Sequence, residues 1–531
     1  MATQMRLFLG LDSSTQGLKA VAVDETLKIV YERGVQYDDD LPFYKTRGGV
    51  RHGADGLTVT APTLMWVEAL DLLFARMRDD HFPFAAVAAV SASGQQHGGV
   101  FWKRGARRLL GGLIPNRPLS AQLATAFAVE ESPVWMDSST TAECRAREAA
   151  LGGAQAVADV TGSRAYERFT GNQIAKVARL QPTAYAATER IGLVSSFIVT
   201  LLAGDYAPID WSDGSGMNLL DIRTKAWDPR SLEVTAPDLL RRLGAPVASH
   251  SVVGFISPAL AGTFGWAKEC RVIAASGDNP CSLAGLVLRK PGDIAISLGT
   301  SDTVFGTLSE PHPSGREGHV FVNPVDPGGY MAMICYKNGS LTREAIRRQV
   351  GAASWDAFGE RVARTPPGNG GRIGFYMLEP EITPPILKTG IFRFGADAAT
   401  AGGFAPEAEA RAVLEGQFLS MRLHADAVGI RPAGILATGG ASVDPAVLRI
   451  MCDVFGVPVS RGDVPNSAAV GAAYRALHGW QCAERRGFVS FADVIPAAPG
   501  VVKAMDPDPE AHAVYTGMLP RYAELEKQVM G

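Results

Sequence analysis

No two cysteines lie close enough in the chain to suggest a metal ribbon or a dithiol redox site. The six, Cys144, Cys270, Cys281, Cys335, Cys452 and Cys482, never come nearer than eleven positions, and Cys-x-x-Cys does not occur. In a chain of 531 residues, scattered thiols read as buried and reduced rather than as a disulfide framework. Charge of one sign is also missing: 51 Lys and Arg stand against 54 Asp and Glu, a net charge of −3. That balance leaves no electrostatic footprint for nucleic acid or an anionic membrane. Long apolar runs are lacking too, since a span needs about 20 residues. The most hydrophobic segment, 191–204, is interrupted by Ser195, Ser196 and Thr200 and reads as a buried core helix. The opening Met-Ala-Thr-Gln-Met-Arg leads directly into a predicted strand, so no signal peptide is expected and the location implied is cytoplasmic. Gly-x-Gly-x-x-Gly is absent, and six residues rather than four separate Gly10 from Gly17, which excludes a Walker A loop there.

What is present fits a globular protein of two or more α/β domains. Hydrophobic residues make up 47% and charged residues 20%, ordinary values for a chain that buries full cores. The 58 glycines of the 531 residues exceed an average share of roughly 7%, and no low-complexity tract absorbs them. They are expected in turns and where backbone approaches a ligand. Apolar strands at 7–11 and 18–23 flank a polar turn at 12–17 and predict a hairpin. Helical spacing follows over 61–78, with Thr60 as the expected cap and Pro62 in the first turn. A strand is expected over 84–91, ending in the loop 93–99. The hairpin plan returns at 293–306, where Leu298-Gly299-Thr300-Ser301 echoes Leu11-Asp12-Ser13-Ser14. One echo at such a long period fits two domains of similar plan, divided as 1–288 and 289–531, rather than a solenoid. Later come a helix over 408–427, a strand over 435–437, and a helix over Pro445–Phe455 with Asp444 as cap and Gly456 closing it.

Three glycine- or hydroxyl-rich loops each follow a predicted strand, at 12–17, 299–303 and 438–442. Such loops present N–H groups and hydroxyls in a concave arrangement suited to phosphate. One alone reads as a tight turn; three together favour a phosphate ligand. Gly277-Asp278-Asn279-Pro280 follows the strand 272–275 and reads first as a turn, with a carboxylate at a strand's carboxyl end as the functional alternative. His97 lies between glycines in a loop, where an imidazole donor to a polar ligand is expected over a core histidine. Arg168 reads equally as a surface charge at a helix end.

These segments, taken in order, resemble the FGGY carbohydrate kinases, in the branch that acts on xylulose. The resemblance covers nearly the whole chain. It is carried by Gly10-Leu11-Asp12-Ser13-Ser14-Thr15-Gln16, Ser93-Gly94-Gln95-Gln96-His97-Gly98, Trp135-Met136-Asp137-Ser138-Ser139-Thr140 and Arg168-Phe169-Thr170-Gly171-Asn172-Gln173-Ile174. Further matches are Ser212-Asp213-Gly214-Ser215-Gly216-Met217-Asn218, Gly277-Asp278-Asn279-Pro280, Ser297-Leu298-Gly299-Thr300-Ser301-Asp302 and Ala437-Thr438-Gly439-Gly440-Ala441-Ser442. The resemblance implies two ribonuclease-H-like α/β domains of the actin/hexokinase ATPase type with the active site in the cleft between them. It implies Mg²⁺-ATP-dependent phosphorylation of D-xylulose to D-xylulose 5-phosphate. Carried over by position, Asp278 is the general base, and His97, Arg168, Asp278 and Asn279 bind the sugar. Asp12, Ser13, Thr15, Gly299 and Thr300 serve the phosphates, Asp12 lies near the metal, and Gly439, Gly440 and Trp355 lie against the adenosine. Asp444 stands where the family often has asparagine. The expected partners are a small sugar and ATP, without nucleic acid or membrane, and a homodimer is compatible with the sequence. The alternatives are a kinase for another ketose or polyol, an actin-like ATPase without sugar transfer, and a sugar sensor without turnover.

Overall fold

Near-continuous apolar runs at 7–13 and 87–94 suit central strands covered on both faces, and nearly every residue of both is buried. The computed structural model describes residues 6–462, 464–497 and 500–530. The chain divides into two compact units, one of residues 1–289, 321–329 and 466–498, the other of 290–320, 330–465 and 499–531.

In the first unit, β1 (Leu7–Ser13), β2 (Gly17–Asp24) and β3 (Ile29–Gln36) form an antiparallel meander. The polar turn between β1 and β2 closes through Ser14 N–H to the Gly17 carbonyl at 2.9 Å. Helix α1 (Thr63–Asp79) follows, with nine buried residues on its core face. Its start differs from expectation. Thr60 does not cap it, because it belongs to a short strand and its hydroxyl donates to Glu131 at 3.0 Å; Pro62 takes the N-cap position. Strand β4 (Val87–Gly94) runs parallel to β1, three residues later than the strand expected at 84–91, because Phe84–Ala86 wind into a 3₁₀ turn. The segment 191–204 is also divided: Thr188–Leu193 is a strand, and only α2 (Val194–Ala203) is the buried helix. After the short helix α3 (Trp211–Ser215), strands β5 (Val252–Phe255), β6 (Arg271–Ile273) and β7 (Ser276–Gly277) complete the sheet, with β6 and β7 parallel to β4. Gly277-Asp278-Asn279-Pro280 is not a free turn, since Asp278 opens helix α4 (Asp278–Gly285) directly after β7.

The second unit repeats the plan. Its mixed sheet includes β8 (Asp293–Leu298) and β9 (Asp302–Leu308) as an antiparallel hairpin, followed by β10 (Tyr330–Tyr336) against β9. Strand β11 (Gly434–Thr438) then runs parallel to β8 as β4 does to β1, with β12 (Val459–Arg461) and β13 (Val502–Met505) beyond it. Helices α5 (Ser340–Gln349), α6 (Trp355–Ala363), α7 (Pro406–Ala427) and α8 (Pro445–Phe455) belong to this unit. Helix α8 has the expected bounds. Asp444 caps it by accepting from Ala446 and Val447 N–H at 2.8 and 3.1 Å, and Gly456 ends it at φ +70°.

The chain then returns to the first unit with α9 (Ser467–Arg485), which packs on β1, β4 and α4. A Cβ on Gly471 would sit 1.7 Å from the Cys281 carbonyl oxygen, so α9 and α4 cross backbone against backbone. None of the six cysteines is in a disulfide, and five of them are buried. Among the described residues, no helix is long and apolar enough to cross a membrane.

Candidate active site

Parallel pairing brings the site of the first unit together. Ser13 of β1 lies opposite Gly94 of β4, and Gly94 opposite Gly277 of β7, so three strands end at one level. Ligands bind outside the carboxyl ends of such strands. Asp12, the 95–97 loop and Asp278 are placed there by register, although 266 positions separate Asp12 from Asp278.

Side chains alternate along a strand, so Asp12 and Ser13 face opposite ways. Ser13 is fully buried and bonded to the Tyr37 hydroxyl at 3.1 Å. Asp12 is buried with Oδ1 lacking a hydrogen-bond partner among the described residues. Burial holds its carboxyl above the ordinary range, with the Ser93 hydroxyl and then the Lys19 charge pulling the other way. Thr15 is partly exposed, and its hydroxyl accepts from the Trp135 indole N–H at 2.9 Å.

Asp278 is partly exposed at the start of α4. The Asn279 backbone and side-chain N–H groups donate to its Oδ1 at 2.8 and 3.1 Å, and the same Asn279 amide reaches Gln96 Oε1 at 3.0 Å. These bonds orient the carboxylate. Desolvation by the surrounding protein and the charge of Asp12 outweigh them, and the pKa is pushed up to about 7. Asp213, in α3, adds a second acidic neighbour: it is deeply buried, and its own pKa is raised by burial, with the charges of Asp210 and Asp278 adding to the rise.

His97 adopts φ +69° and, despite its loop position, is only 3% exposed. Its ring stacks on Phe169 with centroids 4.5 Å apart, and its carbonyl accepts from the Thr170 hydroxyl at 2.9 Å. Burial, with Arg168 nearby, pushes its pKa down to about 3. The neutral ring must therefore donate Nδ1–H to the Gly216 carbonyl at 2.8 Å, leaving Nε2 as an acceptor. Arg168 is partly exposed, its guanidinium 5.5 Å from the Tyr166 ring centroid.

The most telling feature is unpaired polarity. Buried polar side chains are nearly always hydrogen-bonded. Yet Asp12 Oδ1, Ser93 Oγ, both amide atoms of Gln95, Gln96 Nε2 and Asp213 Oδ1 have no partner among the described residues. They come from the ends of β1 and β4 and from α3, beside Asp278, and could each hydrogen-bond a polar ligand.

In the second unit the paired loops are placed by the same register. Ser297 lies opposite Thr438, so the loops after β8 and β11 emerge side by side. Gly439 has φ +83°, and a Cβ there would lie 2.7 Å from the Leu298 carbonyl oxygen, so only glycine fits. Gly440 faces open space, and Thr300 is exposed. The Gly299 carbonyl accepts from Ser340 N–H at 2.9 Å. Behind the loop, the fully buried Arg343 grips Asp302 through two bonds of 2.6 and 2.9 Å. Trp355 is 37% exposed at the start of α6, and α6 meets α8 where Gly359 approaches Ala446. The Asp444 carboxylate is occupied by its helix cap. Removing Arg343 would strand a buried carboxylate, so Arg343→Met is expected to lower stability by about 3–5 kcal/mol. Urea unfolding reads this; an unchanged midpoint would refute a structural role for the pair.

Residue patterns alone gave no role to Gln95, Gln96, Asp210, Asp213 or Arg475. Asp210 and Asp213 carried a readable signal, because an aspartate three positions ahead of a helix N–H is a cap pattern, and Asp210 does accept from Asp213 N–H at 2.9 Å. Nothing local in α9 marks Arg475.

Residues 125–285 match the N-terminal domain and 294–480 the C-terminal domain of the FGGY family of carbohydrate kinases. The chain is 51% identical over 528 residues to the xylulose kinase of Mus musculus, covering 99% of this chain and 95% of that protein. It is 49% identical over 502 residues to xylulose kinase 2 of Arabidopsis thaliana, covering 92% and 90%. A solved structure of xylulose kinase from Rhodospirillum rubrum superposes with a TM-score of 0.80 at 17% identity, over 99% of both chains, which shows a shared fold.

Proposed function

The chain belongs to the FGGY family of carbohydrate kinases, and on that premise we propose that it transfers the γ-phosphoryl group of ATP to D-xylulose, giving D-xylulose 5-phosphate. The observation that carries this reading is the set of buried, unpaired polar atoms around Asp278 at the aligned strand ends. A polyhydroxylated ligand satisfies such atoms. The names of the relatives point to which one.

Asp278 accepts the proton of the attacking hydroxyl, and Asn279 holds the carboxylate in line. Phosphoryl transfer has a loose transition state, so positioning and charge stabilisation carry most of the catalysis and a carboxylate suffices as base. His97 Nε2 accepts a sugar hydroxyl while Arg168 donates to another. The first unit thus takes the sugar, and the loops of the second unit, with Gly299, Thr300, Gly439, Gly440 and Trp355, take the nucleotide. The buried, unpartnered Oδ1 of Asp12 fits a hydrated Mg²⁺, which would neutralise charge on the β- and γ-phosphates. Six cysteines outside any disulfide suit a reducing, cytoplasmic setting.

Coupled ADP release from the purified protein with Mg²⁺-ATP tests the reading, with D-xylulose beside other ketoses and polyols. A large rate increase with D-xylulose alone is expected. Stimulation by a different sugar would move the substrate, and sugar-independent turnover would favour an actin-like ATPase. His97→Ala is expected to weaken D-xylulose binding by tenfold or more, about the worth of one buried hydrogen bond, with ATP affinity unchanged. Titration calorimetry showing equal losses for both ligands would refute the assignment.

A further inference from the structure

Arg475 projects from α9 into the first unit, 1% exposed, and converges on the turn that carries Asp278. Its Nη2 donates to the Ala274 carbonyl at 2.9 Å and the Ser249 carbonyl at 3.0 Å, and Nη1 donates to Cys281 Sγ at 3.4 Å. Ala274 precedes Asp278 by four residues and Cys281 follows it by three, so one guanidinium holds the strand end and the helix start together. The same group pairs with Asp210 at 3.5 Å. Asp210 in turn accepts from the hydroxyls of Ser276 at 3.1 Å and Ser249 at 2.5 Å, and from Asp213 N–H at 2.9 Å. By capping α3, Asp210 also sets the turn whose Gly216 carbonyl anchors His97 Nδ1.

We propose that the buried Arg475–Asp210 pair is the positioning element of the transfer site, holding the Asp278 turn from behind through Ala274, Ser276 and Cys281 and the His97 ring through α3 and Gly216. The proposal rests on the kinase reading above. Neither residue touches substrate; both act through Asp278 and His97. A simple buried ion pair needs no such spread of acceptors. This one spans both sides of the base and the anchor of the sugar-binding histidine, and arginine's planar fork supplies several donors at fixed angles where lysine's single nitrogen cannot.

The test uses the full chain. Arg475→Lys keeps a charge beside Asp210 but cannot reach Ala274, Ser249 and Cys281 together. A displacement near 1 Å at a reacting group costs roughly 100-fold, so kcat is expected to fall by about that factor with the KM for Mg²⁺-ATP unchanged. Loosening the turn also exposes Asp278 further, which relieves the desolvation that raises its pKa, so the acid limb of kcat/KM should move to lower pH. A merely structural residue would move the melting temperature and neither of these readouts. Should Arg475→Lys fail to fold, Asp210→Leu with Arg475→Met removes both charges at once, avoids stranding either, and should show the same loss and the same shift. Wild-type kcat and an unmoved acid limb in a folded variant would overturn the clamp while leaving the kinase reading standing. Failure of both variants to fold would assign the pair to folding alone and overturn it too. Absence of sugar-stimulated ADP release in the wild type would sink the kinase reading and the clamp with it.

Discussion

Asp278→Ala is expected to reduce kcat for sugar phosphorylation by about 100- to 10,000-fold, the usual contribution of a general base, while leaving the protein folded. The carboxylate sits at the first position of α4, partly exposed, and its bonds to Asn279 orient it without bracing the core. Its pKa near 7 fixes the sign of the pH dependence. A carboxylate accepts a proton only when ionised, so on the proposed role kcat/KM, which reports the free enzyme, should fall about tenfold per unit below pH 7 and level off above it. Stability responds to pH in the opposite sense. A carboxyl whose folded pKa lies above its ordinary value of about 3.9 binds more protons folded than unfolded between those values. Its ionisation therefore costs stability progressively from about pH 4 to pH 7, and the cost is fully present above. Asp278→Asn removes that cost, and its melting temperature at pH 8 should match or exceed that of the wild type. Coupled ADP release and a thermal melt check both halves. Near-normal turnover in either variant would remove Asp278 from the chemistry.

Gly471→Ala is expected to be the most damaging single methyl in the first unit. The new Cβ would lie 1.7 Å from the Cys281 carbonyl oxygen, 2.7 Å from its carbon and 2.8 Å from the Gly285 nitrogen. All three are backbone atoms, so no side chain can swing aside. Overpacking costs up to about 3 kcal/mol and occasionally more, a large fraction of a domain's 5–15 kcal/mol or so. Urea unfolding should show a loss at the upper end of that range, and separation of α9 from α4 should lower kcat as well, because α9 carries Arg475. Gly440→Ala is the control: nothing lies within 4 Å of its added Cβ, and its stability should stay within about 0.5 kcal/mol of wild type. An unchanged unfolding midpoint for Gly471→Ala would mean that the two helices do not meet at this crossing.

Local patterns carried furthest where the structure itself is local. The hairpin around 12–17, its echo around 299–303 and the Asp444-Pro445 start of α8 were all readable, because turn chemistry and capping act within a few residues. Thr60 misled because Asp, Ser and Thr cap helices only when the chain before the helix is not already paired, and here it lies in a strand facing Glu131. The segment 191–204 misled because apolar content does not distinguish a buried strand from a buried helix. The burial of His97 was not legible, since its environment is made by Phe169, Thr170 and Gly216 from distant parts of the chain.

The sequence by itself determined the class of fold, the two hairpin loops and, through ordered motifs, the family to which the chain belongs. Each depends on contacts along the chain or on residue types that one reaction requires. Tertiary structure alone decided that Asp12, Gln96 and Asp278 stand together and that Asp12 and Gln96 keep buried atoms without partners among the described residues. It alone decided that Arg475, 197 positions beyond Asp278, lies behind it. The reason is register: parallel strands are joined by long crossovers, so which residues share a level is set by pairing between distant segments, and no local pattern of residues encodes it.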